Sequence, residues 1–162
     1  MKKVMIALLL LQSIASCTNN SKNKSNNNTQ KLTEMDTQNK AAIEKTLNTY
    51  FNSLNASDVK TAVGSYTADG VFMPTKFPTA TGTAQLVTAY ENVFKAIQLN
   101  VTVKIEEIII RDDIAFARTL SNGTTLIHAT GEKMPEENRE FFLLRNDSGE
   151  WKIARYMFNQ PK

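Results

Sequence analysis

Val101-Thr102-Val103-Lys104-Ile105-Glu106 alternates apolar and polar residues, the period of a strand with one buried face. Before this stretch the apolar residues recur at helical spacing; after it they do not. The change of period near residue 100 divides the chain into a helical first half and a β-rich second half. Ile108, Ile109 and Ile110 prolong the strand to a turn at Asp112-Asp113. Stretches 114–120 and 124–129 are β-rich on either side of Asn122-Gly123. Glu140 to Leu144 reads as a further strand, Asn146-Asp147-Ser148-Gly149 as a hairpin turn, and Trp151 to Phe158 as the closing strand.

Upstream, the spacing predicts a helix over Asp36–Asn55, with Ala42, Ile43, Leu47, Tyr50, Phe51 and Leu54 in one apolar stripe and Asp36 or Thr37 as cap. Asp58 caps a short second helix, Val59 to Ser65. Asp69-Gly70 marks a turn, Val71-Phe72-Met73 is a brief strand stopped by Pro74, and Gly82 opens a third helix to about Ile97. Helices first and a meander afterwards predict an α+β fold: three N-terminal helices packed on a bent, mostly antiparallel sheet. Gly70, Gly82, Gly123 and Gly131 read as isolated turn glycines, not as a phosphate-cradling loop. Glu132 to Glu140, EKMPEENRE, reads as a solvated loop.

The chain opens MKKVMIALLLLQSIASC. Two lysines precede eight apolar residues, Val4 to Leu11, and small residues precede Cys17. Eight is too few to span a bilayer, which takes about 20; the pattern is that of a secretory signal peptide. Ile14-Ala15-Ser16-Cys17 resembles the lipobox of bacterial lipoproteins, which implies cleavage before Cys17 and lipidation of its sulfur. Thr18 to Gln30 holds six asparagines and no apolar residue, the composition of a flexible tether. The expected organisation is a signal peptide over 1–16, a lipid-anchored Asn-rich tether over 17–35 and one domain over 36–162. The expected location is the bacterial cell envelope, facing the periplasm, with the lipid as membrane contact. Cys17 is the single cysteine, so no internal disulfide can form.

The net charge of +3 misrepresents the domain. Five of the 19 lysines and arginines precede Leu32, while all 16 acids follow it, so the domain carries 14 bases against 16 acids. Such a balance excludes the basic footprint that nucleic-acid binding needs.

Tyr66-Thr-Ala-Asp-Gly-Val-Phe-Met73, Asn55-Ala-Ser-Asp58, Thr81-Gly82 and Gly149-Glu-Trp-Lys-Ile-Ala-Arg155 together resemble the nuclear transport factor 2-like superfamily over about residues 37–160. This is the cone-shaped fold of ketosteroid isomerases and SnoaL-like cyclases. Trp151-Lys152-Ile153 with Met157-Phe158-Asn159 is similar to its SgcJ/EcaC-type branch. The resemblance implies a cavity inside the cone and a homodimer. It implies that Tyr50, Tyr66, Tyr90, Arg118, His128, Glu140, Phe142 and Tyr156 are the candidate ligand-binding residues.

For ketosteroid isomerisation the resemblance implies a tyrosine on the first helix, matched by Tyr50, and two carboxyl groups. Pro74 and Phe142 stand at the carboxyl positions and can neither abstract nor share a proton, so that reaction is disfavoured. His128, the only histidine, is the one side chain whose ordinary pKa lies near neutrality. A metal site is not expected, because one histidine and no free cysteine give no ligand spacing, and no cofactor is implied. Arg118 and Glu140 interrupt apolar strands; they either face solvent or meet as a buried pair. Three roles follow: a tethered binder of a small apolar or cyclic ligand, a SnoaL-like enzyme doing acid–base chemistry on a cyclic or carbonyl compound, or a dimerising interaction module.

Overall fold

The computed structural model describes residues 21–161, with side chains described from Glu34 onward. The leader and Cys17 lie outside the described residues. No helix among the described residues is long and apolar enough to cross a membrane. The chain divides into Met1–Thr33 and Glu34–Lys162, and all strands belong to the second unit.

The order of elements is α1 (Ser21–Ala56), α2 (Val59–Gly64), β1 (Tyr66–Met73), β2 (Ala80–Thr81), α3 (Gly82–Ala96), β3 (Ile97–Arg111), β4 (Ile114–Ile127), β5 (Lys133–Asp147) and β6 (Glu150–Asn159). The expected α+β architecture is present. The apolar stripe of α1 is the helix's buried face: Ile43, Leu47, Tyr50, Phe51 and Leu54 are all in the core. Asp58 caps α2, accepting from the Thr61 amide at 3.1 Å and the Thr61 hydroxyl at 2.6 Å.

α1 begins at Ser21, so helical backbone covers most of the tract in which composition predicts an unstructured tether. Once a packed helix exists, each added residue needs one more hydrogen bond and no new nucleus, which is how a polar run can continue it.

The six strands form one sheet in the order β2-β1-β6-β5-β4-β3. All pairings are antiparallel except β1 with β6. Register shifts interrupt β1 between Tyr66 and Val71, β3 between Ile105 and Glu107, and β5 between Leu143 and Leu144; such irregularities bend strands.

Three sequence expectations change here: Asp69-Gly70 lies inside β1 rather than in a turn before a shorter strand. Asn122-Gly123 is not a break: β4 runs through it unbroken, with Gly123 opposite Val101. A Cβ on Gly123 would lie 2.1 Å from the Asn100 carbonyl oxygen, so the glycine serves close strand approach rather than a turn. The charged segment 132–140 is not a loop either; from Lys133 it is the first half of β5, paired with β4 from Lys133↔Leu126 to Glu140↔Thr119. Its alternation places Glu136, Asn138, Glu140, Phe142 and Leu144 on one face, a polar half continuing the same face as an apolar half.

The far end of α1 is tied to the edge strand β3. The Asn55 side chain donates to the Val101 carbonyl at 2.8 Å and accepts from the Val101 amide at 2.9 Å. At the other end, Trp151 is buried, donating through Nε1 to Asn39 Oδ1 at 3.1 Å, while its carbonyl accepts from Thr46 Oγ1 at 2.7 Å. These contacts hold α1 across the concave face of the sheet.

Candidate functional site

A cavity of about 300 Å³ lies between α1, α3 and the inner face of the sheet. Its walls are largely apolar: Phe51 and Leu54 from α1, Val93 from α3, and Leu99 and Val101 from β3 are among them. The β1–β2 loop, carrying Pro74, Thr75, Lys76 and Phe77, forms part of the wall. Thr75 pins that loop to the last strand, donating to the Phe158 carbonyl at 2.7 Å.

One side of the cavity is aromatic. Phe72 stacks on Tyr90 and on Tyr156, with centroids 5.3 Å apart in each pair, and Tyr156 stacks on Phe142 at 4.3 Å. Tyr50 meets several of these rings edge-on. Such offset and edge contacts add about 0.5–1.5 kcal/mol per pair beyond area burial.

Three hydroxyls form a chain behind that wall. Tyr90 Oη lies 2.7 Å from Tyr50 Oη and 2.7 Å from Tyr66 Oη. Two bonds among three O–H groups consume two protons, leaving one proton free to be donated. When the chain runs Tyr66 to Tyr90 to Tyr50, that proton is at Tyr50, on the cavity wall. Burial, as the largest cause, pushes the pKa of Tyr50, Tyr66, Tyr90 and Tyr156 above the ordinary value, so all four are neutral donors.

Beside these rings the wall turns polar and acidic, with Glu140 opposite Phe158 in the β5–β6 pairing. Glu140 is buried, with only 2% of its surface exposed. Its Oε2 accepts from Thr119 Oγ1 at 2.5 Å and its Oε1 from Ser121 Oγ. Burial raises its pKa; the two hydroxyl bonds oppose the shift and the nearby Glu136 charge adds to it. Glu136 in turn accepts from Thr125 Oγ1 at 2.7 Å and from Asn138 Nδ2 at 2.8 Å. A neutral phenol donor and a carboxylate of raised pKa on one cavity wall can orient a carbonyl compound and exchange a proton with it.

Of the sequence candidates, Tyr50, Tyr90, Glu140 and Tyr156 line the cavity. Four do not. Tyr66 lies one hydroxyl further back, bonded to Tyr90. Phe142 is fully buried behind Tyr156. Arg118 projects from the other face of β4, where it is exposed and pairs with Glu106 and Glu107; it does not meet Glu140, because side chains one residue out of phase on paired strands point to opposite faces. His128 is exposed in the turn after β4, its Nδ1 3.0 Å from the Lys95 carbonyl, and stands outside the cavity. Asp69 is also outside, held by Arg145 at 2.8 Å, and this hydrogen bond lowers its pKa to about 2.

Sequence reasoning missed Thr119, Ser121, Glu136 and Asn138. The signal was present as parity. Thr119 and Ser121 share the phase of Ala115 and Ala117 on β4, and Glu136 and Asn138 share that of Glu140 and Phe142 on β5.

The family model for a SnoaL-like domain matches residues 47–156. A ketosteroid isomerase-like protein from Erwinia carotovora atroseptica SCRI1043 is similar at 34% identity and a TM-score of 0.72, over 75% of this chain and 96% of that one. A conserved protein from Planctomyces limnophilus DSM 3776 aligns at 19% identity with a TM-score of 0.67, over 75% and 97% of the two chains. A nuclear transport factor 2-like protein of unknown function from Pseudomonas putida KT2440 aligns at 13% identity with a TM-score of 0.63, over 77% and 88%. The last two share the fold alone. No curated protein matches the chain.

Proposed function

The chain belongs to the SnoaL-like family, and on that premise we propose that it binds a small, mainly apolar or cyclic ligand in the cavity of its cone. The observation that carries this reading is the cavity itself: about 300 Å³, walled by aromatic and aliphatic side chains, with hydroxyl and carboxyl groups at fixed places. That size is at the low end of small-molecule pockets and suits one or two rings. Apolar walls supply affinity, and a few placed polar groups set orientation.

The proposal includes a lipid at Cys17, a membrane-anchored position in the cell envelope facing the periplasm, and a homodimer. The lipobox-like Ile14-Ala-Ser-Cys17 supports the first two. For the dimer, the support is the outer sheet face, where Phe141 and Met157 are direct cross-strand neighbours and both are more than 40% exposed.

The test is a thermal-shift titration with 1-naphthalenemethanol, beside a Val93→Trp variant in which the indole fills the cavity. Saturable stabilisation of the native protein, absent in the variant, is the expected result. No stabilisation by any ring compound in the wild type would overturn the reading.

A second reading has a specific observation in its favour. Glu140 supplies a cavity carboxyl although Pro74 and Phe142 vacate the expected positions. Acid–base turnover of a cyclic ketone is then chemically feasible, with Tyr50 as donor and Glu140 as base. Loss of turnover in Glu140→Gln with His128→Ala unaffected is its expected signature.

A further inference from the structure

The polar wall of the cavity has an unusual sign. Glu136, Asn138 and Glu140 occupy alternate positions on one face of β5, and all three line the cavity. Four donors point at the two carboxylates: Thr119 and Ser121 at Glu140, Thr125 and the Asn138 amide at Glu136. Neither carboxylate forms an ion pair with any described residue. Asn138 is more than nine-tenths buried and its Oδ1 has no hydrogen-bond partner. Its other end is fixed, since Nδ2 donates to Glu136 at 2.8 Å, so the amide cannot turn to relieve the oxygen.

What this wall offers is therefore lone pairs only. Each carboxylate oxygen has one donor and room for a second, and the Asn138 oxygen has none. Aromatic rings surround it: Phe158 is the cross-strand neighbour of Glu140, Tyr156 and Phe72 continue the same sheet face, and Tyr50 and Tyr90 come from the helices. Ring faces attract cations, by about 0.5–1 kcal/mol when exposed and about 2 or more when desolvated. The one basic side chain among the described lining residues, Lys76, is exposed on the β1–β2 loop and pairs with neither glutamate.

From the acceptor-only patch and the aromatic rings around it, we propose that the ligand is a cation: a one- or two-ring compound bearing a protonated primary amine. This rests on the small-ligand reading above and narrows it. The ammonium sits against the carboxylates of this patch, while the ring system lies among the aromatic side chains. Two carboxylates held in one cavity without a counter-charge are costly when empty, and a cationic guest relieves that cost. A carboxylate ligand of the same shape meets repulsion there, which gives the site discrimination as well as affinity.

The experiment is isothermal titration of the folded full chain at pH 7 with three isosteric probes: 1-naphthylmethylamine, 1-naphthalenemethanol and 1-naphthoate. The amine is expected to bind at least ten-fold tighter than the alcohol, and the naphthoate not at all. In the Glu136→Gln/Glu140→Gln double variant, the ratio of amine to alcohol affinity should fall to near one. Equal binding of amine and alcohol by the native protein, or preference for naphthoate, would overturn the proposal and leave the small-ligand reading standing. Failure of all three probes to bind would overturn both. Because the decisive comparison is between ligands on the native chain, it holds even where the double variant does not fold.

Discussion

Tyr50 of the first helix and Tyr90 of the third meet hydroxyl to hydroxyl at 2.7 Å, and Tyr90 makes a second bond of the same length to Tyr66. Tyr90 is the central member of the chain, so its loss orphans two buried groups while the loss of Tyr66 orphans one. Tyr90→Phe should therefore destabilise by about 1–3 kcal/mol, and by more than Tyr66→Phe, because an unsatisfied buried polar group carries its full desolvation penalty. Urea denaturation of the two variants checks the order; equal costs would mean the hydroxyls are not coupled.

Glu140 makes a pH-dependent contribution of known sign. Its pKa is raised in the folded protein, chiefly by burial. The folded state then holds more protons than the unfolded one between the ordinary carboxyl pKa of 4.5 and the raised value. Stability from this group consequently falls as pH rises through that window, with the full cost present above it. The Thr119 and Ser121 bonds favour the carboxylate but do not outweigh burial. Glu140→Gln should be more stable than the wild type at pH 7 and lose that advantage below about pH 4. Melting curves from pH 4 to 8 test this; a variant less stable at pH 7 would show that the hydrogen bonds dominate.

Trp151 carries the docking of α1. It is 3% exposed and bonded through its indole to Asn39. Trp151→Ala should cost about 3–5 kcal/mol, the range for removing a buried aromatic side chain. A cost within about 0.5 kcal/mol, the range of exposed sites, would mean the ring contributes nothing to packing.

The outer sheet face bears on oligomeric state. Phe141 stacks on Phe116 at 5.7 Å and remains 43% exposed. In a homodimer through this face, Phe141→Asp should halve the mass seen by light scattering and leave the far-ultraviolet circular dichroism unchanged. An unaltered mass would remove this face from consideration.

Lipidation at Cys17 is checked by fractionation. Cys17→Ser should move the protein from the membrane to the soluble fraction. An intact mass of the mature wild type without added lipid would remove the anchor.

Legibility in the sequence divides along physical lines. Local periodicity decided the elements: the α1 stripe Ile43, Leu47, Tyr50, Phe51 and Leu54 is buried as spacing predicts, Asp112-Asp113 separates β3 from β4, and the hairpin expected over Asn146–Gly149 turns at Ser148-Gly149. These depend on neighbours within a turn or two of chain, which a single sequence contains. In segment 132–140 the density of charge favours a loop, while the alternation that makes it a strand is carried by polar residues on both faces.

The candidate site belongs to tertiary structure. Thr119, Ser121 and Glu140 meet because β4 and β5 pair in one particular register, with Thr119 opposite Glu140. Arg118, one residue away, is turned to the opposite face by the pleat and never reaches the cavity. His128, the most reactive-looking side chain in the sequence, is left in solvent because β4 ends at Ile127, just before it. A strand's sequence shows which residues share a face. Only its pairing, set by the packing of the whole domain, decides what that face looks at. The acidic character of that part of the cavity wall is a product of that pairing.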